Sequence, residues 1–155
     1  MLKFSIQTPI KASMTNVWKQ FDQKLLEKLS PPFPIVRIRT FEGCKTNDRV
    51  VLEMNFLLLK TTWSSIITEF QESESENFFI DEGVEMPFGL IYWQHKHMVK
   101  KLTDTTSAVV DSIQFKSKFF LLDYLLYPLF YGMILYRIPI YQKLLSTKHE
   151  IKLNK

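Results

Sequence analysis

The segment FFLLDYLLYPLFYGMILY, residues 119–136, decides how this chain is read, because only Asp123, Pro128 and Gly132 in it are neither apolar nor aromatic. Such a run can span a bilayer, lie on one, or form a helix enclosed by a soluble fold. At eighteen residues it reaches only the lower edge of transmembrane length. Asp123, Pro128, Gly132 and the nearby Arg137 suit a buried, bent helix with a polar end better than a lipid-facing span. The choice turns on whether the rest of the chain offers something for such a helix to cover.

The two stretches just upstream read as strands. In Ile91–Val99 one face carries Ile91, Trp93, His95, His97 and Val99, and the wetter face carries Tyr92, Gln94, Lys96 and Met98. After a turn over residues 102–105, Val109, Asp111, Ile113 and Phe115 alternate with Ala108, Val110, Ser112 and Gln114. His95, His97 and Asp111 therefore all point inward among apolar neighbours. A hairpin turning near Thr103 sets Asp111 opposite His95 and one step from His97, within side-chain reach.

The remaining chain supplies more strands. Leu2, Phe4, Ile6 and Thr8 alternate up to Pro9, which is expected to end the first strand. Two short helices follow: one capped by Ser13 that carries Val17, Trp18 and Phe21, the other over residues 22–29. Pro31 and Pro32 force an extended path onward. Strands are then expected at residues 35–41, 50–56, 61–70 and 77–81, with a polar turn at 42–48 and an irregular loop at 83–89. Inward positions include Met54, Phe56 and Trp63.

Short connections between successive strands give an antiparallel sheet. The expected fold is thus α+β, a curled antiparallel sheet of about seven strands around a long C-terminal helix, with two short helices after the first strand. Its 155 residues fit one domain, 1–155. The sheet needs a cover for its apolar inner face, and the greasy segment is that cover.

Composition removes several classes of function. Four glycines and no GxGxxG or GxxxxGK leave no phosphate-cradling loop. The net charge of +4 is scattered along the chain, without the clustered basic stripe of a nucleic-acid binder. The tail lysines Lys148, Lys152 and Lys155 read as a solvated helix end. The lone Cys44 cannot form an intramolecular disulfide and falls in an expected surface turn. With no apolar leader after Met1, a reducing, cytoplasmic setting is expected.

Residues Pro87-Phe88, Trp93-Gln94-His95-Lys96-His97 and Asp111, in this order of elements, resemble the SRPBCC superfamily, which includes the START lipid-transfer domains and polyketide cyclases. A bacterial ligand-binding branch carries a Pro-aromatic loop, a Trp-x-His-x-His strand and a later Asp. Thr8-Pro9-Ile10, Val17-Trp18 and Arg137 are similar to that branch too. The sequence departs from it in a longer loop between Pro87 and Trp93 and in Val99, where an aromatic often stands. The resemblance implies a helix-grip fold enclosing a cavity for a lipid, quinone or polyketide-like molecule.

On that basis the expected function is binding or carriage of a hydrophobic small molecule between sheet and helix. The expected contacts are Met54, Phe56, Trp63, Trp93, His95, His97, Asp111, Phe115, Tyr124 and Arg137. Three readings of His95, His97 and Asp111 stand side by side: a buried hydrogen-bonded cluster, a set of groups orienting a ligand's polar end, and a metal-ligand trio. No fourth ligand or Cys pair lies nearby in sequence, so no metal and no cofactor are expected. The alternative function is a cyclase/dehydrase-type enzyme with His95 or His97, Asp111 and Asp81 as acid and base. Arg137 is left either to pair with Asp123, to reach solvent, or to meet a ligand carboxylate. No nucleic-acid partner is expected; transient contact with a membrane surface is the reserve explanation for the greasy helix.

Overall fold

The structure is a computed structural model and describes residues 1–147 of the chain, so the tail lysines Lys148, Lys152 and Lys155 lie outside the described residues. Strand β1 (Leu2–Ile10) leads to helices α1 (Met14–Trp18) and α2 (Gln23–Leu29). Strands β2 (Ile35–Phe41), β3 (Arg49–Asn55), β4 (Lys60–Glu72), β5 (Glu76–Glu85), β6 (Leu90–Lys101) and β7 (Ser107–Ser117) follow, and helix α3 (Phe120–Leu145) closes the series. All seven strands form one antiparallel sheet in the order β1-β7-β6-β5-β4-β3-β2. This is the expected helix-grip arrangement.

Local sequence explains the short helices. The Ser13 side chain accepts from the Asn16 N–H, and Asp22 accepts from the Leu25 N–H, so each helix begins at a side-chain cap. Val17, Leu25 and Leu29 then face a core shared with Ile10, Val99, Val109, Tyr141 and Leu145.

Several boundaries differ from the sequence expectation. Pro9 does not end β1, which runs on to Ile10 with Pro9 opposite Ala108. β1 is an edge strand, so the ladder tolerates a residue without an N–H. β5 extends through Gly83 to Glu85, where a loop was expected, because β4 is long enough to pair with it as far as Ser64. In β6 the pairing shifts between Leu90 and Tyr92, and this bulge turns Ile91 outward and buries Leu90 in its place. The β6–β7 register places Asp111 opposite His97, with Ile113 opposite His95. It is two residues from the expected pairing, because the turn extends to Thr106.

Helix α3 lies across the β1 and β7 side of the sheet. Phe4 meets Tyr127 and Tyr131 edge-on, and Phe130 sits edge-on to both Trp93 and Phe115 with ring centroids 5.0 Å apart. Leu126, Phe130, Ile134, Tyr141 and Leu145 make up the buried row. The helix runs through Pro128 and Pro139, both on its exposed side. Apolar residues nevertheless continue around it, with Phe120, Leu121, Tyr124 and Leu125 each more than half exposed. Among the described residues, no helix is long and apolar enough to cross a membrane.

Candidate functional site

Because α3 leans on β1 and β7, the curled half of the sheet made by β2, β3, β4 and β5 is not filled by it. A cavity of about 260 Å³ remains there, closed by α2 and by one side of α3. Period-2 alternation aims Leu52, Met54, Trp63, Ser65 and Ile67 into it from β3 and β4. Helical spacing does the same for Leu129, Met133 and Arg137, which form one row four residues apart. Phe33, Phe56 and Phe88 meet edge-to-face at its margin, with centroids 5.8 and 5.4 Å apart.

The polar groups gather at the inner end. Nε2 of His95 and Nδ1 of His97 lie 2.8 and 3.3 Å from Oδ1 of Asp111. The Tyr141 hydroxyl donates to the same oxygen at 3.5 Å. Burial opposes ionisation of Asp111, but the hydrogen bonds from His95 and His97 outweigh it and hold the carboxyl below its usual range. Burial, with His97 alongside, pushes His95 down to about 3 despite that hydrogen bond. An ionised Asp111 can only accept, so both imidazoles present N–H to it, and the neutral His95 keeps its other nitrogen as an acceptor. The two rings lie only 3.6 Å apart, which disfavours charging both, and Phe79 stacks on His97 from the other side at 4.6 Å.

Asp81 is opposite His95 in the β5–β6 ladder and lines the cavity. It accepts from Trp93 Nε1 at 3.3 Å and from Ser65 Oγ at 3.4 Å. Burial raises its carboxyl pKa above the ordinary value even so. The site therefore holds one carboxylate kept ionised and one pushed towards its neutral form.

Of the residues singled out in sequence, Met54, Phe56, Trp63 and Trp93 lie in the cavity wall. His95, His97 and Arg137 lie there too. Asp111 stands behind the histidines, 1 % exposed, and reaches the cavity only through them. Phe115 is fully buried under Phe130 and belongs to the packed core instead of the cavity. Tyr124 is 64 % exposed, on the outer row of α3 with Pro128, Tyr131 and Leu135. Arg137 does not pair with Asp123, which accepts from the Ser117 N–H at the other end of α3, about 21 Å away at 1.5 Å per residue.

Cys44 is a further correction. Its turn forms, but the side chain faces the cavity and lies near the Phe21 carbonyl. Burial and three nearby aspartates push the thiol up to about 12, which leaves it a poor nucleophile. Sequence reasoning also missed Ser65, Phe79, Leu129 and Met133. Ser65 shares parity with Trp63, and Leu129 and Met133 share a helical row with Arg137; those periodicities were the available signal. Phe79 shares parity with Asp81 in the same strand, while nothing in the local sequence marks Cys44.

Metal binding deserves a geometric test. Donor atoms of His95, His97 and Asp111 all lie within 4.8 Å of one another. Two of those nitrogens are already committed to Asp111, and the guanidinium of Arg137 lines the same cavity. A second cation there is electrostatically opposed, and the trio fits a hydrogen-bonded cluster better than a cation site.

The architecture is a helix-grip fold, a curled seven-stranded antiparallel sheet around one long helix. No family model matches the chain, and no curated protein does either. Solved structures do match. A norcoclaurine synthase point mutant from Thalictrum flavum, in complex with a transition-state analogue, is 15 % identical, with 93 % of each chain covered and a TM-score of 0.68. The protein XoxI from Bacillus cereus is 19 % identical over 94 % of this chain and 96 % of its own, with a TM-score of 0.67. The Zhui aromatase/cyclase from Streptomyces is 13 % identical over 89 % of each chain, also at 0.67. At these identities the likeness shows the fold and nothing finer.

Proposed function

We propose that this protein binds a compact hydrophobic small molecule in the cavity between the open half of the sheet and α3. The observation that carries this reading is a cavity of about 260 Å³ with largely apolar and aromatic walls and all its ionisable groups at particular places in them. Met54, Phe56, Trp63 and Trp93 would grip the apolar body, while His95 and His97 meet its polar end and Asp111 fixes their tautomers. The volume lies just under the ~300–1,000 Å³ of common ligand pockets, favouring a one- or two-ring compound or a medium-length chain over a sterol. Native mass spectrometry of protein purified from its own host, followed by calorimetric titration with naphthalene-sized compounds, tests it. Failure to retain or bind any apolar compound overturns the reading.

A cyclase-type reaction is the second reading, favoured by one observation. Asp81, with its raised carboxyl, lies opposite neutral His95 in the β5–β6 ladder, and both line the cavity beside His97, a grouping suited to giving and taking protons. Similar folds include an aromatase/cyclase and norcoclaurine synthase. Incubation with a short poly-carbonyl substrate should then develop aromatic absorbance, and Asp81→Asn should abolish it without loss of fold. No absorbance change with the unmodified protein rejects this second reading.

The ligand would be exchanged at a lipid surface. Leu57, Leu58 and Leu59 form the exposed tip between β3 and β4, directly after Phe56 at the cavity margin. Lys60 directly follows the tip, opposite Asn55, a cation placed to meet anionic headgroups. Co-sedimentation with phosphatidylglycerol vesicles should fall for Leu58→Asp. Equal sedimentation of the two proteins, or none for either, removes the contact.

A further inference from the structure

We infer that the ligand of this cavity carries a carboxylate, and that Arg137 receives it. The inference rests on the binding function proposed above and names the chemical class of the ligand.

Arg137 stands at the inner end of the row Leu129, Met133 and Arg137, so α3 delivers one permanent cation into a wall that is otherwise mostly apolar. Its Nη1 is buried and has no hydrogen-bond partner among the described residues. A guanidinium N–H withdrawn from water and left unpaired costs free energy, so a fold that keeps one is expected to supply its partner from elsewhere.

The neighbouring carboxylates do not serve. Asp111 Oδ1 already faces His95, His97 and Tyr141. Asp81 accepts from Trp93 and Ser65, and Asp22 accepts from the Leu25 N–H at the start of α2. The ion pairs of the described residues involve Asp123, Arg39 with Glu53, the two histidines with Asp111, and Lys101 with Asp104, but not Arg137.

A planar monoanion answers this arrangement best. A carboxylate matches the guanidinium fork with two parallel hydrogen bonds, while an apolar remainder fills the space beside Met54, Trp63 and Met133. A phosphate dianion would bring more charge and hydration than one guanidinium can offset in an apolar enclosure. Raising of the Asp81 carboxyl by burial works in the same direction, since it reduces negative charge facing the ligand. The ligand class is thus a compact apolar acid, aromatic or medium-chain.

The test uses a matched pair of probes, 1-naphthylacetic acid and 2-(1-naphthyl)ethanol, titrated calorimetrically into the full chain at neutral pH. The acid should bind about tenfold tighter than the alcohol. Arg137→Gln should erase that preference, and Arg137→Lys should keep part of it. Equal affinity of acid and alcohol for the unmodified protein overturns the inference while leaving the cavity reading intact. So does an acid preference that survives in a folded Arg137→Gln protein. If Arg137→Gln does not fold, the ratio on the unmodified protein decides. Binding of neither probe removes both this inference and the binding function beneath it.

Discussion

The two halves of the sheet obey the same alternation and end in opposite states. In β7, Val109, Asp111, Ile113, Phe115 and Ser117 are all buried, because α3 presses Phe130 and its row against them. In β2, at the other edge, no residue is fully buried, and Val36, Leu52 and Met54 of β2 and β3 face the cavity. A single helix is too narrow to cover both halves of a curled seven-stranded sheet. Where it lies the interior is filled, and where it does not the interior stays open for a ligand.

The largest test of this contrast is a pair of truncations. Phe115→Ala on the filled side should cost about 3–5 kcal/mol in urea unfolding, as expected for emptying a packed aromatic site. Met54→Ala on the open side should cost only about 1 kcal/mol, since it enlarges a space that already exists, and should instead change probe affinity. Equal losses at the two positions would dissolve the distinction.

Next in size is the boundary between the halves. Asp111→Ala strands the N–H groups of His95 and His97 and the Tyr141 hydroxyl, at a cost of about 2–3 kcal/mol in the same assay. The variant should also weaken ligand binding, because the imidazoles lose the group that fixes their tautomers.

A comparable effect follows from pH. His95 titrates at about 3 in the fold against 6.5 ordinarily, so the unfolded chain binds the extra proton between those values. The His95 contribution to stability should therefore be constant above pH 6.5 and fall as pH drops below it, by about 2 kcal/mol at pH 5. Asp111, held below its usual range, adds to the loss in more acid solution as its carboxylate is protonated. Thermal denaturation across this range checks the slope, and His95→Gln should flatten it.

The smallest effect lies at the rim of the open half. Leu57 has φ 73° and Phe88 φ 61°, a left-handed backbone that bulky side chains adopt at a cost. Leu57 is 75 % exposed, so Leu57→Gly loses little burial and should stabilise the fold by up to about 1 kcal/mol in thermal unfolding. The same change should reduce vesicle binding if the rim meets lipid.

Much of the filled half was legible beforehand. The alternation of β6 and β7 put His95, His97 and Asp111 on one inward face, and Phe119–Tyr136 announced a long covering helix. Register was not legible, since it depends on where the turn closes, and so the facing partner of Asp111 was misassigned by two residues. Phe115 and Tyr124 show the same limit from another side. Periodicity states which residues share a face, but not whether that face meets a helix, a cavity or solvent.

The residue pattern by itself therefore determined the element order, the antiparallel sheet and the inward set of polar residues, because these follow from backbone periodicity and turn chemistry alone. Tertiary structure alone decided where α3 lies on the sheet. That placement depends on side chains distant in sequence, such as Phe4 with Tyr127 and Phe115 with Phe130. It left the other half of the sheet unfilled, turned Cys44 inward, and buried one donor of Arg137 without a partner among the described residues.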